Sequence, residues 1–385
     1  MNALQLAGRF EAEFRTRPRV FSAPGRVNLI GEHTDYNDGF VLPSAIGFYT
    51  RVAAAARPGR KLGFYSTQFP ESYELELNTM PQYRLGKWCD YVLGVAIMLQ
   101  QAGCPLVGTT LLVDGEVPIG AGLSSSAAVE VATALALSNM AGGKLPFPEL
   151  AKLCQKAENE FVGARVGIMD QFVSCLAKEG HALLLDCRSL DFELVPIPTN
   201  VKLVICNTMV KHELSGGEYN RRREECEQGV EILSGFYDGI HALRDVSRDQ
   251  LRAQTEALPP LIYKRCLHVV EENCRVMEAV RYLRFDDLQA VGRLMRESHR
   301  SLRDLYEVSC PELDIMVEAA EGLPGYIGGR MTGGGFGGCT VNLVEAVHAQ
   351  AFVQAISERY RQKTAIIPET YICTPANGAG IELNA

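Results

Sequence analysis

The stretch Gly120-Ala121-Gly122-Leu123-Ser124-Ser125-Ser126-Ala127 sets flexible backbone and three hydroxyls ahead of a run of helix formers. Backbone N–H groups, the positive end of a helix and serine hydroxyls together make a site for phosphate oxygens. An ordinary capped helix would need one serine and no glycines. Asp170 lies in Gly167-Ile168-Met169-Asp170-Gln171-Phe172, among apolar neighbours that would partly desolvate it. A half-buried carboxylate needs a partner. Arg26 is the partner chosen here, since an arginine would keep Asp170 ionised and aimed while adding positive charge where phosphoryl oxygens develop negative charge. Arg26, Glu32, His33 and Asp35 crowd into ten residues beside the turn sequence Asn37-Asp38-Gly39. They offer donors and acceptors that could bracket the hydroxyls of a sugar, although a solvated hairpin end would carry the same residue types.

Other phosphate designs do not fit. No Lys-Ser or Lys-Thr follows the glycines at 120–122, and the H-R-D and D-F-G signatures of protein kinases are absent. Gly333 to Gly338 match G-x-G-x-x-G, but Cys339-Thr340-Val341-Asn342-Leu343-Val344 follows, which reads as a strand where a dinucleotide fold requires a helix. That cluster is read as a loop where backbone approaches a ligand or neighbouring backbone closely.

The elements that must hold these groups can be sketched from periodicity. Phe21 to Ala55 alternates apolar and polar residues around a turn and predicts β structure, and Thr110 to Val113 predicts a second strand leading into the 120–127 loop. Ala127 to Met140 predicts a largely buried helix, preceded by three serines that could cap it and closed by Gly142-Gly143. Pro148 to Val162 predicts a helix with Leu150, Leu153, Cys154, Ala157 and Phe161 on one stripe, and Ile168 to Ala177 a third. Strands follow at 182–186, 192–197 and 202–207, then a charged helix over 218–233, a helix-rich segment over 234–322, and strand, helix, strand over 326–375. A composition shift near 186–191 places a domain boundary, dividing the chain into 1–188 and 189–385.

At 385 residues the chain is long enough for two domains with cores of their own. Thirty-eight basic against 46 acidic residues give a net charge of −8, which disfavours nucleic acid or an anionic membrane as partner. The sequence lacks a signal-like N-terminus and any apolar run near the roughly 20 residues of a membrane span, so a cytoplasmic location is expected. The twelve cysteines contain no C-x-x-C pair and are read as buried free thiols rather than disulfides or metal ligands.

The segment from Ala23 through Pro24-Gly25-Arg26-Val27-Asn28-Leu29-Ile30-Gly31-Glu32-His33-Thr34-Asp35-Tyr36-Asn37-Asp38 to Gly39 resembles the galactokinase signature. The 120–127 loop and Met331 to Cys339 are similar to the second and third motifs of the galactokinase, homoserine kinase, mevalonate kinase and phosphomevalonate kinase (GHMP) superfamily. The resemblance continues through Glu158-Asn159, Gly167 to Gln171 and Glu218-Tyr219-Asn220-Arg221-Arg222, with 227–320 contributing least. It implies an α+β (mixed α/β) enzyme of two domains, with the active site in the cleft between a mixed-sheet N-terminal half and a ferredoxin-like C-terminal half. The implied reaction moves the γ-phosphoryl group of Mg-ATP onto the C1 hydroxyl of galactose. Asp170 is implied as the base and Arg26 as transition-state stabiliser. Ser126 and Glu158 are implied as magnesium ligands. Glu32, His33, Thr34, Asp35, Gly167, Asp170 and Tyr219 are assigned to the sugar, and Gly120, Ala121, Gly122, Leu123, Ser124, Ser125 and Ser126 to ATP. Trp88 falls in a segment that lies near the nucleotide base in this family, though it would serve equally as a core anchor. No obligate protein partner is implied.

Two other functions bear on these residues. The family includes sugar-sensing regulators without catalysis, which tend to be disrupted at the serine-alanine step of the phosphate loop, whereas Ser126-Ala127, Asp170 and Arg26 are all present here. Kinases of other small alcohols are the second alternative. The run Arg26…His33-Thr34-Asp35-Tyr36 argues against the mevalonate branch, while N-acetylgalactosamine and arabinose differ by groups worth only a few kcal/mol in a pocket.

Overall fold

The structure, a computed structural model, describes residues 1–211 and 215–384. Helix α1 (Ala3–Phe14) precedes the strands β1 (Arg19–Asn28), β2 (Phe40–Val41) and β3 (Pro43–Ala56). β1 and β3 pair antiparallel, with Asn28 opposite Pro43. Residues 29–42 therefore form the tip of one long hairpin, closed by Leu29 N–H donating to the Leu42 carbonyl at 3.1 Å and Leu42 N–H to Ile30 at 3.0 Å. The polar cluster Glu32 to Asp35 sits on this tip and not on strands as expected. Asp38, at φ 58°, is the left-handed residue of the predicted turn.

β6 (Thr109–Gly115), β4 (Lys61–Ser66) and β5 (Tyr73–Glu76) extend the same sheet beyond β3, with β5 at its edge. Against its face pack α2 (Asp90–Gln101), α3 (Ser125–Met140), α4 (Phe147–Lys156) and α5 (Met169–Leu176), burying Phe64, Leu93, Val131, Leu135 and Phe172 in one cluster. Removing each such side chain from water stabilises the fold by about 1.5–3 kcal/mol. α3 is apolar nearly all round, and residues Ala127 to Leu137 are buried apart from Val129. The helix predicted over 148–162 changes pitch partway. After Lys156 it widens into a π-helical turn over Ala157–Val162, ended by Gly163 at φ 88°, and Glu158 lies in that turn. Such turns recur at functional sites because they re-aim a side chain.

β7 (His181–Asp186) and β8 (Phe192–Pro196) form a small sheet with β2. β9 (Val201–Lys211) then enters a second large sheet. The helices α6 (Ser215–Ser234), α7 (Arg248–Ala253), α8 (Pro260–Arg284), α9 (Leu288–Ser301) and α10 (Pro311–Ala320) follow, then β10 (Tyr326–Thr332), β11 (Gly337–Glu345), α11 (Ala349–Thr364) and β12 (Glu369–Cys373). The sheet order β10-β11-β9-β12, antiparallel throughout, is that of a ferredoxin-like unit. The last strand, β13 (Gly380–Leu383), returns to pair with β1. Hydrogen bonding thus crosses the 188/189 boundary at β7–β8 and again at β13–β1, and we propose that boundary as a division between lobes rather than between sheets.

An apolar cluster joins the two halves. Val27, Ile30, Val117 and Leu123 from the N-terminal part meet Leu203, Leu294 and Val341 from the C-terminal part. This shared core brings the 29–39 hairpin tip, the 120–124 loop and the 333–338 glycine cluster to one seam. Among the described residues, no helix is long and apolar enough to cross a membrane. All twelve cysteines are free.

Candidate active site

The seam opens into a cleft of about 500 Å³. Arg26 lies at its centre, on β1, with its side chain 6% exposed. Its guanidinium grips Asp170, at the start of α5, as a fork: Nε donates to Oδ1 at 2.9 Å and Nη2 to Oδ2 at 2.8 Å, with Nη2 also 2.7 Å from Oδ1. Nη1 donates to the Gly122 carbonyl at 2.7 Å, and the Arg26 backbone N–H to the Leu123 carbonyl at 3.0 Å. The pair expected from sequence therefore forms, and it is tied to the phosphate loop by the same arginine. Paired planar donors and acceptors fix direction as well as charge.

The loop itself differs from an ordinary helix start. Ser124 occupies the N-cap of α3 in left-handed conformation (φ 62°, ψ 45°) and makes no side-chain cap hydrogen bond. Ser124 therefore does not cap the helix in the usual way, and the first-turn amides lack a side-chain acceptor from that position. Gly120, Gly122, Leu123, Ser124, Ser125 and Ser126 all line the cleft. The glycine cluster of the third motif packs on this loop. A Cβ added to Gly333 would lie 2.9 Å from the Gly122 carbonyl oxygen, and one on Gly338 would lie 3.0 Å from that of Ala121. The cluster's requirement is close backbone approach, as the strand that follows it had suggested.

Glu158 is 6% exposed yet lines the cleft. Burial first, and then the charge of Asp170, push its carboxyl up to about 7, against hydrogen bonds from Ser126 and Gln171. Gln171 Nε2 donates to Glu158 Oε2 at 2.6 Å and to Glu130 Oε2 at 3.1 Å, and burial holds the Glu130 carboxyl well above the ordinary range. Ser126 and Glu158 are thus adjacent oxygen donors whose environment favours a nearby cation.

On the other side, the hairpin tip supplies Glu32, His33 and Asp35, facing Gly167 and Tyr219. Glu32 is 2% exposed and also has a structural role: Oε1 accepts from Gly333 N–H at 2.7 Å and Thr332 Oγ1 at 3.2 Å, and Oε2 from Asn28 Nδ2 at 3.1 Å. His33 adopts φ 63°, and burial, followed by the charges of His268 and Arg222, lowers its ring to about 3, so it is neutral. Its Nδ1 shares a proton with Tyr36 Oη at 2.8 Å, which continues to Tyr306 Oη at 2.8 Å and Cys226 Sγ at 3.1 Å. Burial and the charge of Asp170 raise Asp35 to about 7. A Cβ on Gly167 would overlap the Asp35 carboxylate, so glycine is required there.

Two of the expected site residues do not line the cleft. Thr34 is fully buried and spends its hydroxyl on the Gly31 carbonyl at 2.8 Å and the Phe40 carbonyl at 2.7 Å, holding the hairpin tip in shape. Ala121 is 2% exposed behind the loop. In the other direction, Phe69, Tyr91, Val113, Ile119 and Val129 line an apolar end of the cleft that sequence reading did not single out. Trp88 joins them and stacks on Phe69 with centroids 5.9 Å apart. Arg165 pairs with Glu227 at 3.0 Å on the exposed surface.

Comparison with known proteins accords with this geometry. Residues 8–56 match the galactokinase galactose-binding signature, 90–178 the GHMP kinases N terminal domain, and 277–362 the GHMP kinases C terminal domain. The chain is 46% identical to a galactokinase of Chloroflexus aggregans over 373 residues, covering 97% of this chain and 95% of that one. It is 43% identical to a galactokinase of Roseiflexus sp. over 377 residues, covering 98% and 96%. The crystal structure of Lactococcus lactis galactokinase complexed with galactose superposes with a TM-score of 0.94 at 35% identity, covering 98% of this chain and 99% of that one. A mevalonate kinase from Methanococcus jannaschii shares the fold alone, with a TM-score of 0.65 at 18% identity. With its signature, both superfamily domains and nearly its whole length matched, this chain belongs to the galactokinase family of the GHMP kinases.

Proposed function

We propose that the chain transfers the γ-phosphoryl group of Mg-ATP to the C1 hydroxyl of α-D-galactose, giving α-D-galactose 1-phosphate and ADP. The observation that carries this reading is the Arg26–Asp170 fork, set between the phosphate loop and a polar pocket within one cleft. Asp170 would accept the anomeric proton as the sugar oxygen bonds to phosphorus. Arg26 would hold Asp170 in place and offset the charge on the phosphoryl oxygens. Asp35, His33, Glu32, Gly167 and Tyr219 would surround the sugar, and the neutral His33 suits an uncharged hydroxyl ligand. Thr34 would contribute by shaping the hairpin tip. The 120–126 backbone, with the Ser125 and Ser126 hydroxyls, would hold the phosphates, and the apolar end with Trp88 would take the adenine base.

The Ser126 hydroxyl and Glu158 carboxylate fit magnesium, since both are hard oxygen donors and the buried carboxylate is left in need of positive charge. Magnesium bound there would neutralise phosphate charge. The cytoplasm, where thiols stay reduced, suits twelve free cysteines. Asp170→Asn tests the reading: calorimetry should show galactose and nucleotide binding retained, while turnover falls by about 10² or more. Near-normal turnover would mean that another group is the base.

A further inference from the structure

A serine at a helix N-cap ordinarily turns its hydroxyl back onto the first-turn amides. Ser124 does not. It is 8% exposed, stands at φ 62° where glycine is favoured, and donates its hydroxyl to Asp170 Oδ2 at 2.5 Å. Arg26 Nη2 also donates to Oδ2, at 2.8 Å. Oδ1 in turn lies 2.9 Å from Arg26 Nε and 2.7 Å from Nη2, so the arginine spans both oxygens and Ser124 adds a donor to Oδ2 from a different element. Three consecutive residues of the phosphate loop thus hold the Arg26–Asp170 pair: the Gly122 carbonyl, the Leu123 carbonyl and the Ser124 hydroxyl.

We infer that Ser124 is a positioning residue for the catalytic base: its hydroxyl, together with the Arg26 fork, fixes the orientation of the Asp170 carboxylate that receives the anomeric proton. The inference rests on Asp170 being the base. In the step, the proton of the C1 hydroxyl passes to the Asp170 carboxylate, the freed oxygen pair bonds to the γ-phosphorus, and the bond from phosphorus to the β–γ bridging oxygen breaks, releasing ADP. Ser124 stays a donor to Oδ2 throughout and makes no bond to substrate. Its left-handed backbone is what aims the hydroxyl at α5 instead of along α3.

Ser124→Gly separates this role from two others, because it removes the hydroxyl while suiting the backbone conformation. Ser124→Ala removes the hydroxyl and keeps the conformational strain. Both variants should lose about tenfold or more in kcat, while the dissociation constants for galactose and for a non-hydrolysable Mg-ATP analogue stay within about threefold. The melting temperature of Ser124→Gly should not fall. A glycine variant that turns over like the wild type would reduce Ser124 to a structural residue. Weakened nucleotide binding with full kcat at saturation would make it a phosphate ligand. Both results overturn the inference. If the wild-type protein makes no galactose 1-phosphate, the proposed function falls. If it does and Ser124→Gly is unimpaired, only the role of Ser124 falls.

Discussion

Arg26→Lys keeps the charge at the centre of the site and removes the fork. Arg26 makes three directed hydrogen bonds at 2.9, 2.8 and 2.7 Å, to Asp170 Oδ1, Asp170 Oδ2 and the Gly122 carbonyl. A lysine ammonium is a point charge on a flexible stem and cannot reproduce a planar bidentate contact. One carboxylate oxygen or the Gly122 carbonyl is then left without its donor, at a cost of about 1–3 kcal/mol each. Losing a preorganised donor from a site of developing charge costs about 10²–10³ in kcat, or roughly 2.7–4 kcal/mol. The variant should therefore fall by about 10²–10³ in kcat, while KM for galactose changes by less than about fivefold, because the proposed sugar pocket draws on the hairpin tip. ADP release coupled to galactose addition measures kcat and KM. Trp88, the only tryptophan, lines the cleft, so its fluorescence should change on nucleotide binding. A kcat within about fivefold of wild type would refute the argument that fork geometry, beyond charge alone, aligns the base. So would a loss carried entirely in KM.

Other outcomes follow from single contacts. Gly167→Ala places a methyl group on the Asp35 carboxylate, so KM for galactose should rise about tenfold or more, with nucleotide affinity unchanged; an unchanged sugar KM would remove Asp35 from the sugar pocket. His268 is buried between Ser301 Oγ at 2.8 Å and the Glu32 carbonyl at 3.1 Å, and burial lowers its ring to about 4. As pH falls below 6.5 the unfolded chain takes up a proton that folded His268 refuses until about 4, so this group costs about 2 kcal/mol of stability at pH 5 relative to pH 8. Denaturant unfolding of His268→Gln should show its deficit against wild type shrinking by about that amount at pH 5, and a deficit independent of pH would contradict a neutral buried ring.

The parts of the site legible in the sequence are those whose chemistry is local. Gly120 to Ser126 announces a phosphate loop because glycines and hydroxyls stand together before a helix, and Asp170 stands out as a carboxylate among apolar residues. Its pairing with Arg26 could be chosen because an arginine both aims a half-buried carboxylate and adds positive charge where phosphoryl oxygens develop negative charge. What was not legible depends on contacts between distant segments. Ser124 reads as one of three interchangeable caps until α5 is placed opposite it, 46 residues away. Thr34 sits within the signature run, yet its hydroxyl is spent on two carbonyls of its own loop. Glu130 and Gln171 look like ordinary helical residues, and only the packing of α3 against α5 brings them together behind Glu158.

The same limit applies to the fold. The ferredoxin-like order of the second sheet follows from a strand and helix alternation that periodicity reveals in part, and family resemblance supplied the rest. The π-helical turn at Ala157–Val162 has no period that would separate it from the α4 stripe. β13 pairs with β1 across the whole length of the chain, a contact that no local pattern encodes.

The most direct test of the account is to incubate the protein with Mg-ATP and galactose, beside N-acetylgalactosamine, arabinose, glucose and mevalonate, and to assign the phosphorylated position by NMR. Galactose 1-phosphate as the dominant product is the predicted result. Saturable galactose binding without phosphoryl transfer, or a dominant product from another acceptor, would contradict it.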